Sequence, residues 1–380
     1  MTRPLRKLYV ALFIGILALL FVGSMRGVMS YRTPAAYSVL DGNLAKTFEQ
    51  HYDKELPVKD IGTNLWAALD YLLFKEGRTG VQIGEQGWLY SDEEFKPEAD
   101  GAKQIRENLA LIKGVRDELA KHDVLLLMAI VPSKARLYPE FVGDNRTSAL
   151  RQDLYQQFLA QVSAAEIAAP NLLSTLQDGK AKGAMFLRTD THWTPQGADL
   201  VAQQLSTTLK RGISLDGEPQ RFITQASAAQ PYKGDLTRFL PLDPWFDYLL
   251  PAPDQLRRRE TRAAEPATGD DALFADSAMP VALVGTSYSA NPAWNFAGAL
   301  RQHLQRDLSN HAEDGQGPLV PMLKYLQSED FKNTPPQLVI WEFPERYLPM
   351  ASDLSEFDAQ WLGSLQQPAG EHRLAVSARR

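Results

Sequence analysis

Cysteine is absent from all 380 residues. That excludes thiol catalysis, disulfides and cysteine-ligated metals. Histidine is scarce, with six: His51, His122, His192, His303, His311 and His372. A positive excess is missing as well. The formal net charge is −6, which argues against a nucleic-acid binder. No P-loop occurs, and no G-x-G-x-x-G follows a strand-like run, so nucleotide binding has no support. What remains is ordinary globular composition, 44% hydrophobic and 23% charged, on a chain long enough for one large domain or two ordinary ones.

Charge is also missing from Leu8 to Met25, a run close to the ~20 apolar residues a bilayer-spanning helix needs. Arg3, Arg6 and Lys7 precede it, so the positive-inside rule keeps the N-terminus in the cytoplasm and exports everything after Met25. An uncleaved anchor and a cleaved signal peptide compete. The run is longer than a signal h-region, and only Gly23 and Ser24 offer a weak cleavage substitute, which favours the anchor.

Beyond the run, helical and strand-like patterns alternate. NLWAALDYLLF reads as a helix, and VQIGEQGWLY reads as a hairpin with Gly-Glu-Gln-Gly as its turn. Ile105, Leu109, Ile112 and Leu119 keep helical spacing ahead of VLLLMAIV, a short apolar run suited to a buried parallel strand. RQDLYQQFLAQVSAAEI is a helix, and AMFLRTDTHW a short strand leading into a loop. TPQGADLVAQQLSTTLKR is a helix with Thr194 as N-cap and Pro195 at its first position. VALVG is a strand, NPAWNFAGALRQHLQRDL a helix and QLVIWEF a third core strand. The alternation implies an α/β layered fold with a mainly parallel sheet, whose ligands bind beyond the carboxyl ends of the strands. From about 212 to 278 the alternation breaks. LRRRETRAAEPATGDD within it reads as an exposed, mobile loop, either a surface insertion or a flap over the site.

Of the histidines only His192 sits after a strand-like run and before a helix start, in Thr189-Asp190-Thr191-His192-Trp193. On an extended segment Asp190 and His192 would point to one side, the carboxylate holding one imidazole nitrogen and freeing the other as a base. Alone, D-x-H is weak and equally suits a capping loop. Gly285-Thr286-Ser287-Tyr288-Ser289 changes the balance, because it ends the strand VALVG. A nucleophile would be presented there, with backbone N–H groups as an oxyanion hole. Ser287 follows the strand more closely, whereas Ser289 suits capping before Asn291-Pro292. The G-x-S-x-G elbow is not matched, and the order Asp, His, Ser disfavours the α/β-hydrolase fold. A metal site would need ligands beyond Asp190 and His192, and none is apparent in the sequence.

TDTHWTPQGA and GTSYS together resemble the AlgJ/AlgX family of alginate O-acetyltransferases, which is SGNH-hydrolase-like. GEQGWLY, VPSKARLYPE, KGDLTRFL and WEFPERYL fit too, so the likeness spans roughly residues 80 to 350. The N-terminal anchor and the absence of an obvious C-terminal carbohydrate-binding module are closer to the AlgJ arm. The resemblance implies a three-layer SGNH-like fold in permuted motif order, with Ser287 as nucleophile, His192 as general base and Asp190 orienting it. Against the wider SGNH pattern the chain has Asp-x-His and lacks a clear Gly-Asp-Ser block. Tyr288 N–H is the expected oxyanion donor. Lys134, Arg136, Arg188, Lys233 and Arg238, in or near these motifs, are candidate cations for an anionic polymer.

On this reading residues 1–25 are a basic cytoplasmic start and anchor helix, and 26–80 a lead-in helix and linker. Residues 81–368 form the acetyltransferase domain, and 369–380 a disordered tail. The expected reaction is exopolysaccharide O-acetylation in the periplasm, from the inner membrane, without a cofactor or metal. An acetyl esterase, or a noncatalytic polysaccharide-binding subunit, is the alternative. The expected partners are an anionic polysaccharide acceptor, a multipass membrane acyltransferase supplying acetyl, and other subunits of a polysaccharide export complex; nucleic acid is not among them.

Overall fold

Apolar runs and their interruptions set the architecture. The computed structural model describes residues 3–33, 41–96, 98–143, 153–211, 215–264 and 279–366. The tail read at 369–380 lies outside these residues. Two compact units divide the chain: Met1–Arg78 with Arg238–Leu250, and Thr79–Thr237 with Pro251–Arg380.

The first unit holds α1 (Arg3–Ser30), α2 (Asn43–Glu55) and α3 (Pro57–Leu69), which a π-helical turn at Asp70–Phe74 extends. α1 is long and apolar enough to cross a membrane, by length and composition. Arg238–Leu250 joins this unit because Asn64 Nδ2 donates to Pro241 O at 2.7 Å and Arg78 N–H donates to Phe239 O at 2.8 Å. The sequence places that segment in the catalytic domain's insertion. Bonds spanning 177 residues leave no local pattern to read.

The second unit begins with the hairpin β1 (Val81–Ile83) and β2 (Leu89–Ser91), then α4 (Gly101–Ala120) and β3 (Leu125–Val131). α5 (Lys134–Leu137), α6 (Leu154–Ala164), α7 (Leu172–Gly179) and α8 (Pro195–Lys210) follow. Next come β4 (Phe222–Ala226), β5 (Gln230–Tyr232), β6 (Asp254–Leu256), β7 (Arg259–Ala263) and β8 (Val281–Val284). The remainder is α9 (Ser287–Ala290), α10 (Phe296–Leu304), β9 (Leu308–Asn310), α11 (Leu319–Gln327), α12 (Glu329–Asn333), β10 (Leu338–Pro344) and α13 (Ala359–Gln366).

Four strands make the central sheet, in the order β3-β10-β8-β9, all parallel. Successive strand residues face opposite sides. Every residue of β8 and β10, and of β3 after Leu125, is buried, so both faces are covered. That is the three-layer α/β arrangement expected of continuous apolar strands. α4 packs with α13, while α8 packs with both α7 and α10.

Three readings need correction. AMFLRTDTHW forms no strand: a lone bridge joins Phe186 to Trp193, and the loop closes through Leu187 N–H to His192 O (3.1 Å) and Thr194 N–H to Met185 O (2.9 Å). Its apolar residues are buried because the loop packs into the core. The helix expected over NPAWNFAGALRQHLQRDL is broken by Asn295 in a left-handed conformation (φ 54°), and Leu308 opens the edge strand β9 instead. The stretch 212–278 is not wholly irregular where described, because it contributes two short strand pairs. β4 pairs with β7 and β5 with β6, both antiparallel, and the RETRA of the supposed mobile loop is β7. Alternating exposure along β7, with Thr224 and Thr261 hydroxyls 2.7 Å apart across the pair, explains the ribbon.

Candidate active site

Parallel strands aim their carboxyl ends at one edge of the sheet, and the chemistry gathers there. β8 ends at Val284, and Thr286 then caps α9, which starts at Ser287. A Cβ at Gly285 would stand 2.5 Å from Glu342 Oε2, so only glycine lets this turn approach β10. Glu342 is buried in β10 and accepts from Thr286 N–H (2.7 Å), Thr286 Oγ1 (3.0 Å) and Ser289 Oγ (3.1 Å). Burial raises its carboxyl, with these donors pulling the other way. Glu342 therefore pins the turn that carries Ser287, and Ser289 is committed to that bond.

The loop before α8 brings the other two groups. Thr194 Oγ1 accepts from Gly197 N–H at 3.0 Å, the cap read from the sequence. His192 Nε2 lies 2.7 Å from Ser287 Oγ, and Nδ1 lies 2.6 Å from Asp190 Oδ1. Asp190 Oδ1 also accepts His192 N–H at 2.9 Å, so the two sit on a bend rather than an extended segment. Trp294 stacks on the imidazole, with ring centroids 5.1 Å apart. The other described histidines are engaged elsewhere. His303 meets Asp199 at 2.9 Å, His51 meets Ser30 Oγ at 2.9 Å, His311 meets Ser309 Oγ at 2.9 Å, and His122 rests on the Phe331 ring. His372 lies outside the described residues.

Asp190 has a second set of donors. Its Oδ2 accepts from Tyr232 OH at 3.1 Å and Asp235 N–H at 2.9 Å. Burial alone would raise its carboxyl. The hydrogen bond and charge of His192, with the two backbone donors, outweigh burial and hold it at about 2. Asp235 is pushed the other way, by burial and then by the Asp190 charge. Its Oδ1 accepts Thr191 N–H at 2.8 Å, and its Oδ2 is 4.0 Å from His192 Nδ1. Asp190, His192 and Asp235 lie within 4.8 Å of one another, a spacing able to hold a cation. A cation there would have to compete with the His192–Asp190 bond. The described part of the stretch 212–278 thus buttresses the site. Asp254, also within it, accepts from Arg188 N–H (2.9 Å), Thr189 N–H (2.8 Å) and Thr189 Oγ1 (2.6 Å).

The cations read from the sequence fall in different places. Lys134 is 0% exposed, and its Nζ donates to Leu89 O (2.5 Å), Arg188 O (2.9 Å) and Asp190 O (2.8 Å). It holds the loop and cannot meet a polymer. Burial lowers its ammonium to about 8, with Glu94 acting in the opposite sense. Arg136 is likewise turned inward, its guanidinium on Glu345 at 2.6 Å. Arg188 is half-buried and its guanidinium donates to Ala252 O. Lys233 is exposed, and Arg238 is exposed in the other unit, over the Phe239 ring. Tyr288 N–H, the expected oxyanion donor, faces Thr286 Oγ1 at 3.4 Å. The Tyr288 side chain is buried; its hydroxyl donates to Thr191 O at 2.7 Å and accepts from Arg346.

Sequence reasoning missed Tyr232, Asp235, Asp254, Trp294 and Glu342. Glu342 had a signal: a single acid within an apolar strand buried on both faces needs partners. Asp235 had one in KGDLTRFL, a family-like stretch whose candidate residues are the cations Lys233 and Arg238 rather than its acid. Nothing local marks the other three.

Comparison with known proteins places this geometry. A family profile described as the SGNH hydrolase-like domain of acetyltransferase AlgX matches residues 81–345. A relative from Pseudomonas syringae pv. tomato, named "Probable alginate O-acetylase AlgJ", is 58% identical over 97% of this chain and 94% of its own. The protein of that name from Pseudomonas aeruginosa is 53% identical over 99% and 98%. Among solved structures, the O-acetyltransferase domain of Pseudomonas putida AlgJ superposes with a TM-score of 0.71 at 56% identity, covering 76% of this chain and 99% of that one. Pseudomonas aeruginosa AlgX, 24% identical with a TM-score of 0.54 over 71% of this chain and 66% of its own, shares the fold. With a buried parallel sheet, Asp-x-His ahead of the serine and relatives over nearly its full length, the chain belongs to the AlgJ/AlgX family of SGNH hydrolase-like acetyltransferases.

Proposed function

We propose that the chain transfers acetyl groups to hydroxyls of alginate, through an acetyl-serine on Ser287. The relay that supports this most is Asp190 Oδ1–His192 Nδ1 at 2.6 Å continuing into His192 Nε2–Ser287 Oγ at 2.7 Å. His192 Nε2 takes the Ser287 proton as Oγ attacks the acetyl carbonyl, and Asp190 stabilises the imidazolium. The tetrahedral oxyanion is held by backbone N–H groups opening α9, Tyr288 among them, once Thr286 Oγ1 yields. Collapse expels the donor's leaving group with the proton from His192. A sugar hydroxyl then attacks the acetyl-serine, His192 takes its proton, and Ser287 Oγ recovers it as the ester forms on the polymer.

The relatives' names supply the acceptor, alginate, and the association with alginate biosynthesis. Arg188 and Lys233 are the cations we assign to the polymer's carboxylates. We further assign α1 as an uncleaved anchor in the inner membrane, with the catalytic unit on the periplasmic side. A multipass membrane acyltransferase delivers acetyl there, and subunits of the export complex handle the polymer. The test is purified chain with an acetyl donor, with and without mannuronate oligomers. Acetyl is expected on the oligomer, faster than release to water. Acetyl appearing as free acetate alone, at a rate the oligomer does not change, would make the protein an esterase and overturn the reading.

A further inference from the structure

α3 is amphipathic the wrong way round for a helix in water. Among its described side chains Asn64 and Ala68 are buried, while beyond the exposed Lys59 and Asp60 of its first turn the outward ones are mainly apolar. Leu65 is 48% exposed, Trp66 68%, Leu69 39% and, on the π-helical turn, Leu73 68%. Spacing of three and four residues puts them along one face. The Arg238–Leu250 segment of the same unit adds Trp245 at 56% and Tyr248 at 75%. Apolar area left in water forgoes the stabilisation that burial gives, so large exposed apolar side chains gathered in one unit mark a surface that something covers.

The occupant is indicated by what shares the unit. α1, the helix able to span a bilayer, packs against both α2 and α3. The face is therefore tied within reach of any membrane that α1 enters. Tryptophan and tyrosine concentrate at the membrane–water boundary, because their rings are apolar and their N–H or O–H stays wet. Lys75 and Arg78, both exposed and with the exposed Glu76 between them, follow the π-helical turn, where lipid phosphates would meet the two cations. We infer that the outward face of α3, with Trp245 and Tyr248, docks into the interfacial layer of the bilayer that α1 crosses, giving the lead-in unit a second, non-spanning attachment. This rests on the reading of α1 as an anchor.

The cysteine-free chain permits a direct test, because any introduced cysteine is the sole thiol. Full-length chain is reconstituted into phosphatidylethanolamine–phosphatidylglycerol vesicles as the single variants L12C, W66C, W245C and Q225C, each spin-labelled. Leu12 lies in α1, and Gln225 is exposed on β4 in the other unit. Accessibility to oxygen, which partitions into lipid, is compared with accessibility to a water-soluble nickel chelate. Labels at 66 and 245 are expected to show oxygen-to-nickel ratios several-fold above 225, approaching that of 12. Ratios at 66 and 245 equal to that at 225, with 12 still lipid-like, overturn the inference and leave the anchor standing. Shielding of 66 and 245 from both reagents overturns it too, since protein then covers the face. A water-like Leu12 label removes the anchor and this inference together. Each substitution is at an exposed side chain, and unchanged circular dichroism establishes that the fold is kept.

Discussion

Asp190 divides its two oxygens between two tasks. Oδ1 holds His192, and Oδ2 holds Tyr232 and the Asp235 backbone. In Asp190→Asn the amide can keep only one set of acceptor bonds, and an NH₂ facing Nδ1 stabilises the wrong imidazole tautomer. Transfer rate is expected to fall by roughly 10³–10⁴-fold, as it does when the triad acid of a serine protease is made an amide, with the circular dichroism spectrum unchanged. Stopped acetyl-release assays read this out. Glu94 makes a pH prediction. It is buried and accepts Ala135 N–H at 2.7 Å. Burial, partly offset by that bond and by Arg346 and Lys134, raises its carboxyl from 4.5 to about 7. The native state thus keeps the Glu94 proton up to about 7 while the unfolded chain loses it near 4.5. Native protein binds more protons in that window, so stability falls as pH rises through it and levels off above. Glu94→Gln is expected to flatten the slope of Tm between about pH 5 and 7; an unchanged slope would count against it. Asp190, His192 and Ser287 were legible because each stood in a short motif at a strand or helix boundary. Lys134 and Arg136 were misread because a cation in a motif was taken as an exposed one. Composition cannot tell a Lys capping three carbonyls from one in solvent.

At the scale of elements, the loop that carries Asp190 and His192 is held by β5, β6 and the turn after β5 rather than by strand pairing of its own. A Cβ on Gly234 would stand 2.2 Å from Thr189 O, so the turn after β5 can reach the loop only with glycine there. Gly234→Ala is expected to destabilise by ~1–3 kcal/mol through overpacking and to lower transfer by more than that loss of stability explains, since Asp190 moves with Thr189. Gly363 in α13, with open space around it, is the control: Gly363→Ala gains ~0.5–1 kcal/mol of helix propensity and keeps full activity. Thermal melts and initial rates on the pair decide the point. α8 was legible to its first residue, because Thr194 and Pro195 carry the start signal locally. β7 was not, because its pairing partner β4 lies more than thirty residues earlier and its sequence is mostly charged. β9 was hidden because its three residues continue a helical pattern and its partner β8 is not local.

At the scale of the molecule, the alternation of apolar runs with amphipathic stretches was enough to read a buried parallel sheet. Its strand order was not readable, since β10 is last in sequence yet sits between β3 and β8. Nor was the return of Arg238–Leu250 to the N-terminal unit, which depends on a few long-range bonds such as Asn64–Pro241. The proposed function at this scale is a flow of acetyl from a donor, through the chain, to a polymer. Intact and tandem mass spectrometry on protein quenched during turnover reads that flow most directly. Acetyl is expected on Ser287, decaying as mannuronate oligomer is added while the ester appears on the oligomer, and absent from folded Ser287→Ala, which transfers nothing. Acetylated oligomer formed by Ser287→Ala at the parent rate, or acetyl trapped on Ser289 instead, would contradict the account.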